Sequence, residues 1–318
     1  MLRALLRLAA LCLLLGVGLA LGGCGGSDDD DAPPVVRETT PDAPPIRLGA
    51  KNFTEQTILG ELYRQALEAK GYDVVLKLDI GSSEIVHRAL RRGELDMYPE
   101  YIGVLLSEVA DNTDRPPSDA AAYQAAQAFE RRNGFTLLAQ TPFADSNALA
   151  VKPRFAEQHG LRTIADLRKL DGTVEIAALA EFATRFEGLK GLRQQYRLNN
   201  LDVVKADGSD RYTKLDSGEV DVASVFTSEG QLAGDDYVVL QDPRRVFASG
   251  HVAPVVNDTL LETHGPGLRR AIDAVTRALT TSAMRKMNGD VDLRRREPAA
   301  VAGEFLRARD LLDAPTAR

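Results

Sequence analysis

KNFTEQTILGELYRQALEAKGYDVVLKLDIGSSEIVHRALRRGELDMYPEYIG, from Lys51 to Gly103, is the stretch that decides the fold. It reads as the body of a strand–helix–strand–helix–strand unit. Ile46 to Ala50, just before it, is a short apolar run. Ile58, Leu59, Leu62, Ala66 and Ala69 recur at the spacing of one helical face, and Gly71 stands where a helix would stop. Val74 to Ile80 alternates as a strand does. Gly81-Ser82-Ser83-Glu84 offers a cap to a second helix, whose apolar side is Ile85, Val86, Ala89 and Leu90. Gly93 ends that helix, and Leu95 to Tyr98 reads as a third strand. Such a unit makes a parallel sheet, and ligands gather at the carboxyl ends of its strands. Those ends carry Lys51, Gly81-Ser82-Ser83 and Tyr98-Pro99-Glu100-Tyr101. A cation, a helix N-terminus and paired tyrosines converge on one rim.

Beyond this unit the pattern predicts a helix over 120–132, a strand over 135–139 and a first crossing into a second lobe over 141–151. The α/β rhythm then repeats: a short helix over 163–170, a strand over 174–178, a helix from Glu181 towards Tyr196, a strand over 201–205 and a helix over 209–216. Gly218-Glu219-Val220-Asp221 echoes Gly93-Glu94-Leu95-Asp96, each a helix stop followed by a strand. This is one supersecondary unit used twice. Val252 to Val256 reads as the return crossing, and helices over 266–280 and 298–312 close the chain. The expectation is an α/β protein with lobe 1 over 46–150 plus 251–318 and lobe 2 over 151–250. Two crossings imply a ligand cleft and a hinge between the lobes.

The 318 residues suffice for two such lobes. Hydrophobic content of 44% and charged content of 27% suit a packed globular protein, and a net charge of −7 argues against a polyanion-binding surface. No basic cluster is interleaved with aromatics, so no nucleic-acid partner is expected. H-E-x-x-H, G-x-S-x-G and Walker A sequences are missing, which argues against an enzyme. His87, His159, His251 and His264 are scattered without metal spacing, and no metal or other cofactor is expected. Glu94 and Asp96 lie around a turn and read as caps. Trp is absent and aromatics are 6%, so tyrosines clustered at a rim carry information.

The amino terminus reads as a targeting segment. Arg3 and Arg7 form a positive region, Leu8 to Leu21 an apolar core too short for a comfortable span, and Leu21-Gly22-Gly23-Cys24 ends it. That ending resembles a bacterial lipobox. It implies a signal peptide over 1–23 and a diacylglyceryl thioether on Cys24, the alternatives being an ordinary signal peptide or an uncleaved anchor. Two acyl chains there would hold the protein stably on the extracytoplasmic face of the cell membrane. Residues 24–45 read as a disordered tether whose four aspartates are a solvated charge run. Cys12 falls in the removed segment, so the mature chain would carry no free thiol and no disulfide.

Three blocks in order carry a family resemblance: Lys51-Asn52-Phe53-Thr54-Glu55-Gln56, Leu67 to Tyr72, and Gly93-Glu94-Leu95-Asp96-Met97-Tyr98-Pro99-Glu100-Tyr101. They resemble S-K-x-F-T-E-Q, L-E-x-x-G-Y and G-E-I-D-x-Y-P-E-Y in the substrate-binding proteins of osmoprotectant ABC importers, which bind glycine betaine, choline and carnitine. The resemblance spans about 46–312. It implies a two-lobe periplasmic-binding-protein fold, type II-like, acting as a monomer that captures a quaternary ammonium or zwitterionic solute and delivers it to an ABC permease and its ATPase.

A quaternary ammonium has no N–H, so aromatic faces hold it through cation–π attraction, whereas a carboxylate wants Lys, Arg, hydroxyls or a helix N-terminus. Under the resemblance Lys51 and Arg185 meet the anionic end, Gln56 is a polar ligand position, and Tyr101 is a cage tyrosine. Pro99 stiffens the turn that presents it, and Tyr98 is structural. Later blocks depart from the pattern. N-T-Y-A-L-A-V is Asp145-Ser146-Asn147-Ala148-Leu149-Ala150-Val151, Y-x-T-D-G is Phe226-Thr227-Ser228-Glu229-Gly230, and F-P-P-Y-x-x-A-P is Phe247-Ala248-Ser249-Gly250-His251-Val252-Ala253-Pro254. Three cage tyrosines thus become Asn147, Phe226 and Gly250. Each lost face weakens cation binding by about 0.5–2 kcal/mol. The expectation is either weak betaine binding or a different, larger solute, for which Asp145, Asn147 and His251 supply hydrogen bonds and Gly250 supplies room. A tethered sensor serving no transporter is the rival from another class.

Overall fold

The computed structural model describes residues 43–112, 116–206 and 208–312. The segment 1–23, Cys24 and the tether up to residue 42 lie outside the described residues. Ten strands are described: β1 (Ile46–Gly49), β2 (Val74–Lys77), β3 (Met97–Tyr101), β4 (Phe135–Leu137), β5 (Asn147–Val151), β6 (Val174–Ala178), β7 (Leu201–Lys205), β8 (Val222–Phe226), β9 (Val238–Leu240) and β10 (Val252–Asn257). They form two five-stranded sheets, ordered β2-β1-β3-β10-β4 and β7-β6-β8-β5-β9.

The sheets share one plan. In each, three strands run parallel, β2-β1-β3 and β7-β6-β8, as helical crossovers demand. The fourth, β10 or β5, is antiparallel to both its neighbours. These are the two strands that arrive from the other lobe, so the chain enters each sheet against its direction. The sheet assignment places Asn147 to Ala150 in the second lobe, so the first crossing ends before Asn147. Val252 to Val256, expected as the return crossing, is a full strand of the first sheet.

Local chemistry explains the elements. The helix Thr54–Ala69 buries Ile58, Leu59, Leu62, Tyr63 and Ala66 against the first sheet, and Gly71 at φ +88° turns the chain into β2. Strand β3 starts two residues later than the alternation suggests. All five of its residues are buried because both faces are covered: Met97 and Tyr101 enter one core, Tyr98 another.

The echoed Gly-Glu-x-Asp segments do the same job twice. Asp96 N donates to Arg47 O at 2.8 Å and its carboxylate accepts from Arg47 N at 2.8 Å; Asp221 N donates to Glu175 O at 3.2 Å and accepts from Glu175 N at 3.4 Å. Each aspartate therefore seals the entry of the neighbouring parallel strand. Asp96 also receives Arg47 Nε at 2.8 Å.

Two expectations are corrected. The helix expected from Glu181 is a set of short turns, with Glu187 and Gly188 non-helical, and only Gly191–Tyr196 is a regular α-helix. At the carboxyl end the helices are Asp258–Ala278, Thr281–Asp292 and Pro298–Arg307, one more than expected. The Thr281–Asp292 helix, capped by Thr280 on Ala283 N, lies on the first lobe yet reaches the second. Arg285 Nε donates to Thr227 O at 2.7 Å, Asn288 Nδ2 to Ser228 O at 2.9 Å, and Gly289 meets Gly230 so closely that a Cβ on Gly230 would collide with its backbone. The crossings run side by side, Asp145 N donating to Gly250 O at 2.9 Å and Ala144 bridging His251.

Asp96→Ala should lower stability by about 1–2 kcal/mol, since a charged acceptor for backbone and guanidinium donors is lost. Asp221→Ala, with a single long bond, should cost clearly less. Urea denaturation of both variants compares them directly.

Candidate functional site

Lys51, Gln56 and Tyr101 come together at the carboxyl ends of β1 and β3, as the strand reading implies. Their state is less open than expected. Lys51 is 4% exposed, and its ammonium donates to Glu100 at 2.5 Å and to Ser83 Oγ at 3.0 Å. It also stands 4.4 Å from the centroid of the Tyr101 ring. The lysine is thus already paired, and the ring already carries a cation of the protein's own. Tyr101 is itself buried, and its hydroxyl donates to Glu55 at 2.7 Å. Burial first, then the charges of Glu55 and Asp145, push the Tyr101 phenol well above its usual pKa, so it remains a donor. Phe53 stacks on Tyr101 with centroids 6.1 Å apart, lies 5.8 Å from the Lys51 ammonium and is 42% exposed, which makes it the more exposed ring of the two.

Glu55, which the sequence reading passed over, sits at the centre. It occupies the first turn of the Thr54–Ala69 helix and is buried. Besides Tyr101 it accepts Asn288 Nδ2 at 2.8 Å. Gln56 is fully buried; its Oε1 accepts Lys51 N at 3.4 Å, and its Nε2 meets no partner among the described residues.

The second set of expected residues lies on the crossings and the second sheet. Asn147 and Phe226 are directly paired across β5 and β8. Asn147 Nδ2 donates to Glu187 at 3.3 Å, which draws the Arg185 segment towards it. Arg185 itself is exposed in an extended conformation. Phe226 is half-buried, with the Arg211 guanidinium 5.5 Å from its centroid. Asp145 accepts Ser228 N at 3.4 Å. His251 Nδ1 lies 2.9 Å from the carbonyls of both Thr141 and Phe143; two acceptors require Nδ1 to carry the proton, so this ring laces the crossings and only Nε2 remains for a ligand. Gly250 does not supply room: a Cβ there would collide with the Asp145 carbonyl. Its smallness serves the close approach of two backbones.

A cavity of about 230 Å³ opens where the crossings meet, lined by Asn147, Gly250 and His251 together with Asp119 and Arg245. The last two form a 2.6 Å ion pair between the lobes, half exposed and so weak. A larger depression of about 440 Å³ lies on the outer face of the Ser83–Arg91 helix, lined by Arg88, Arg91 and Arg92. His87 is the one ring in a lining dominated by three arginines, so it is a poor seat for an ammonium.

Two α/β lobes, paired crossings and a rim of aromatic and carboxylate groups define a solute-binding protein rather than an enzyme. Residues 44–308 match the family model described as the substrate binding domain of ABC-type glycine betaine transport system, and the chain belongs to that family. A glycine-betaine-binding protein of Pseudomonas aeruginosa is 31% identical over 84% of this chain and 89% of its own length. The glycine betaine-binding protein YehZ of Escherichia coli is 27% identical over 83% of this chain and 90% of its own. The crystal structure of a glycine betaine/carnitine/choline ABC transporter protein superposes with a TM-score of 0.78 at 26% identity, covering 84% of this chain and all of that one.

Removing Glu100 would strand a buried ammonium. Glu100→Ala should therefore destabilise the protein by about 3–5 kcal/mol, well beyond an ordinary carboxylate deletion. Thermal and urea unfolding measure it, and a loss under 1 kcal/mol would mean that Ser83 and the Tyr101 ring suffice for Lys51.

Proposed function

We propose that this protein is the extracytoplasmic, Cys24-anchored receptor of an ABC importer, capturing a betaine- or choline-like solute between its lobes and presenting it to the permease as a monomer. Family membership and relatives named for glycine betaine and carnitine support the reading. The observation that supports it is the rim itself: the exposed Phe53 stacked on Tyr101, whose hydroxyl reaches Glu55, offers an aromatic face to an ammonium with a carboxyl beside it.

The residues divide the solute between them. Arg185 is the cation left for a carboxylate, because Lys51 is engaged with Glu100. Lys51 then orders the rim by holding Glu100, Ser83 and the Tyr101 ring in place. Gln56 contributes a buried amide N–H₂ with no partner among the described residues, and Asn147 a second amide. Asn147 in place of a cage tyrosine favours a second reading, a solute with more hydrogen-bonding groups and fewer methyls.

Calorimetric titration with glycine betaine, choline, carnitine and proline betaine tests the function. Micromolar or tighter binding of at least one is expected; no heat with any, from folded protein, would overturn the betaine-class assignment. Arg185→Ala should weaken the carboxylate-bearing ligands by about 1.5–3 kcal/mol and leave choline unchanged. Cys24→Ser should move the protein from the membrane to the soluble fraction on ultracentrifugation, and retention would indicate an uncleaved anchor.

A further inference from the structure

The groups around Tyr101 are unevenly charged. Lys51 has Glu100 and, on the second sheet's side, Arg211 has Glu229 at 2.5 Å, while Arg285 is spent on the carbonyls of Thr227 and Leu232. Glu55 and Asp145 have no cation within ion-pair distance among the described residues. They come from different parts of the chain, Glu55 from the first turn of the Thr54–Ala69 helix and Asp145 from the first crossing, and both are wrapped in neutral donors. Tyr101 and Asn288 serve Glu55, and the Ser228 backbone serves Asp145. Burial raises the pKa of Glu55 against those hydrogen bonds. Burial, with the Glu55 charge added, raises that of Asp145 well above the ordinary carboxylate range.

Two side-chain amides nearby are half used. Gln56 Nε2 and Asn288 Oδ1 have no partner among the described residues, in side chains that are 0% and 5% exposed. Buried amides are normally satisfied, so a donor and an acceptor left over beside two carboxyls point to a polar guest.

We propose that Glu55 and Asp145 act together as the counter-charge for the ammonium end of the solute, supplying with a carboxyl pair the attraction that the missing aromatic faces would have given. The proposal rests on the reading of this rim as the solute site. Burial of Glu55 and the mutual repulsion of the two carboxyls outweigh the pull of Lys51 on Glu55, so the half-buried Asp145 and Glu55 resist ionising together and hold a proton at lower pH. An ammonium brings the missing positive charge, one O–H bond breaks, and the proton leaves to solvent. The other groups facing the pair do not take it: Tyr101 is held neutral, Lys51 is bound to Glu100, and Glu229 is bound to Arg211 and accepts Tyr212. Because both carboxyl pKa values are raised, the proton is present at lower pH and opposes binding there. Affinity for a cation therefore rises with pH, by up to about tenfold per unit while the pair remains protonated, and levels off above.

The test is calorimetry on the full chain in detergent, run in phosphate and in Tris, whose ionisation heats differ. Choline, its uncharged carbon analogue dimethylbutanol and glycine betaine are the probes. The expected result is release of up to about one proton per choline or betaine bound and none with dimethylbutanol, with a pH-dependent Kd for the cations only. Asp145→Asn should abolish the proton release and flatten the pH profile, and Glu55→Gln should do the same. Choline or betaine binding without proton release, or with the same release in both variants, would overturn the carboxyl-pair role while leaving the betaine-class function intact. Failure of every probe to bind would overturn both. The proton count on the unsubstituted chain decides the matter even if the variants fold poorly.

Discussion

The rim depends on one ion pair. Lys51 and Glu100, at 2.5 Å and nearly without solvent, join the end of β1 to the end of β3, and the Ser83 hydroxyl brings in the start of the next helix. Removing two charges from water costs several kcal/mol per ion, and their attraction offsets it only while the geometry is held. Three separate elements are therefore locked at the place where a parallel sheet gathers ligands. Glu100 also accepts the Tyr101 N–H at 2.7 Å, so the same carboxylate sets the backbone that carries the tyrosine. From that follows the aim of the Tyr101 hydroxyl at Glu55, and from Glu55 the link through Asn288 to the second lobe.

The pair also changes what the rim offers. A lysine at a strand end suggests a free cation for a carboxylate. Once neutralised, it leaves the local field to the carboxyls, and the region around Tyr101 becomes a place for positive charge. If Arg185 of the second lobe takes the carboxylate, as proposed, a zwitterion would span the gap between lobes, which is the geometry that rewards closure.

Much of this was legible in the chain. The period of Ile58, Leu59, Leu62 and Ala66, the stops at Gly71 and Gly93 and the echo at Gly218 carry local information that survives folding, and they located both parallel sheets and the rim. Strand β10 reads as a linker in the sequence because nothing in Val252 to Val256 tells a crossing segment from a strand that pairs on both sides. The Thr281–Asp292 helix was missed because only Met284, Met287 and Val291 mark its face, while Asn288, Gly289 and Asp290 are poor helix formers. Asn288 is there for the contact it makes with Glu55, and the Gly289 backbone is approached so closely that its partner Gly230 must lack a side chain. The burial of Lys51 and the crowding at Gly250 were invisible for another reason: both are set by segments some 50 and 105 residues away in sequence.

The contact of Gly289 with Gly230, flanked by Arg285 and Asn288, adds a third connection beside the two covalent crossings. Two adjacent antiparallel crossings alone let one body both bend and twist against another. A third point of support suppresses the twist and leaves a single bending coordinate. When a solute draws the lobes together, the disorder lost is that of one angle rather than several. Less of the contact energy is then consumed in ordering, and even a sparsely furnished cleft can hold its guest.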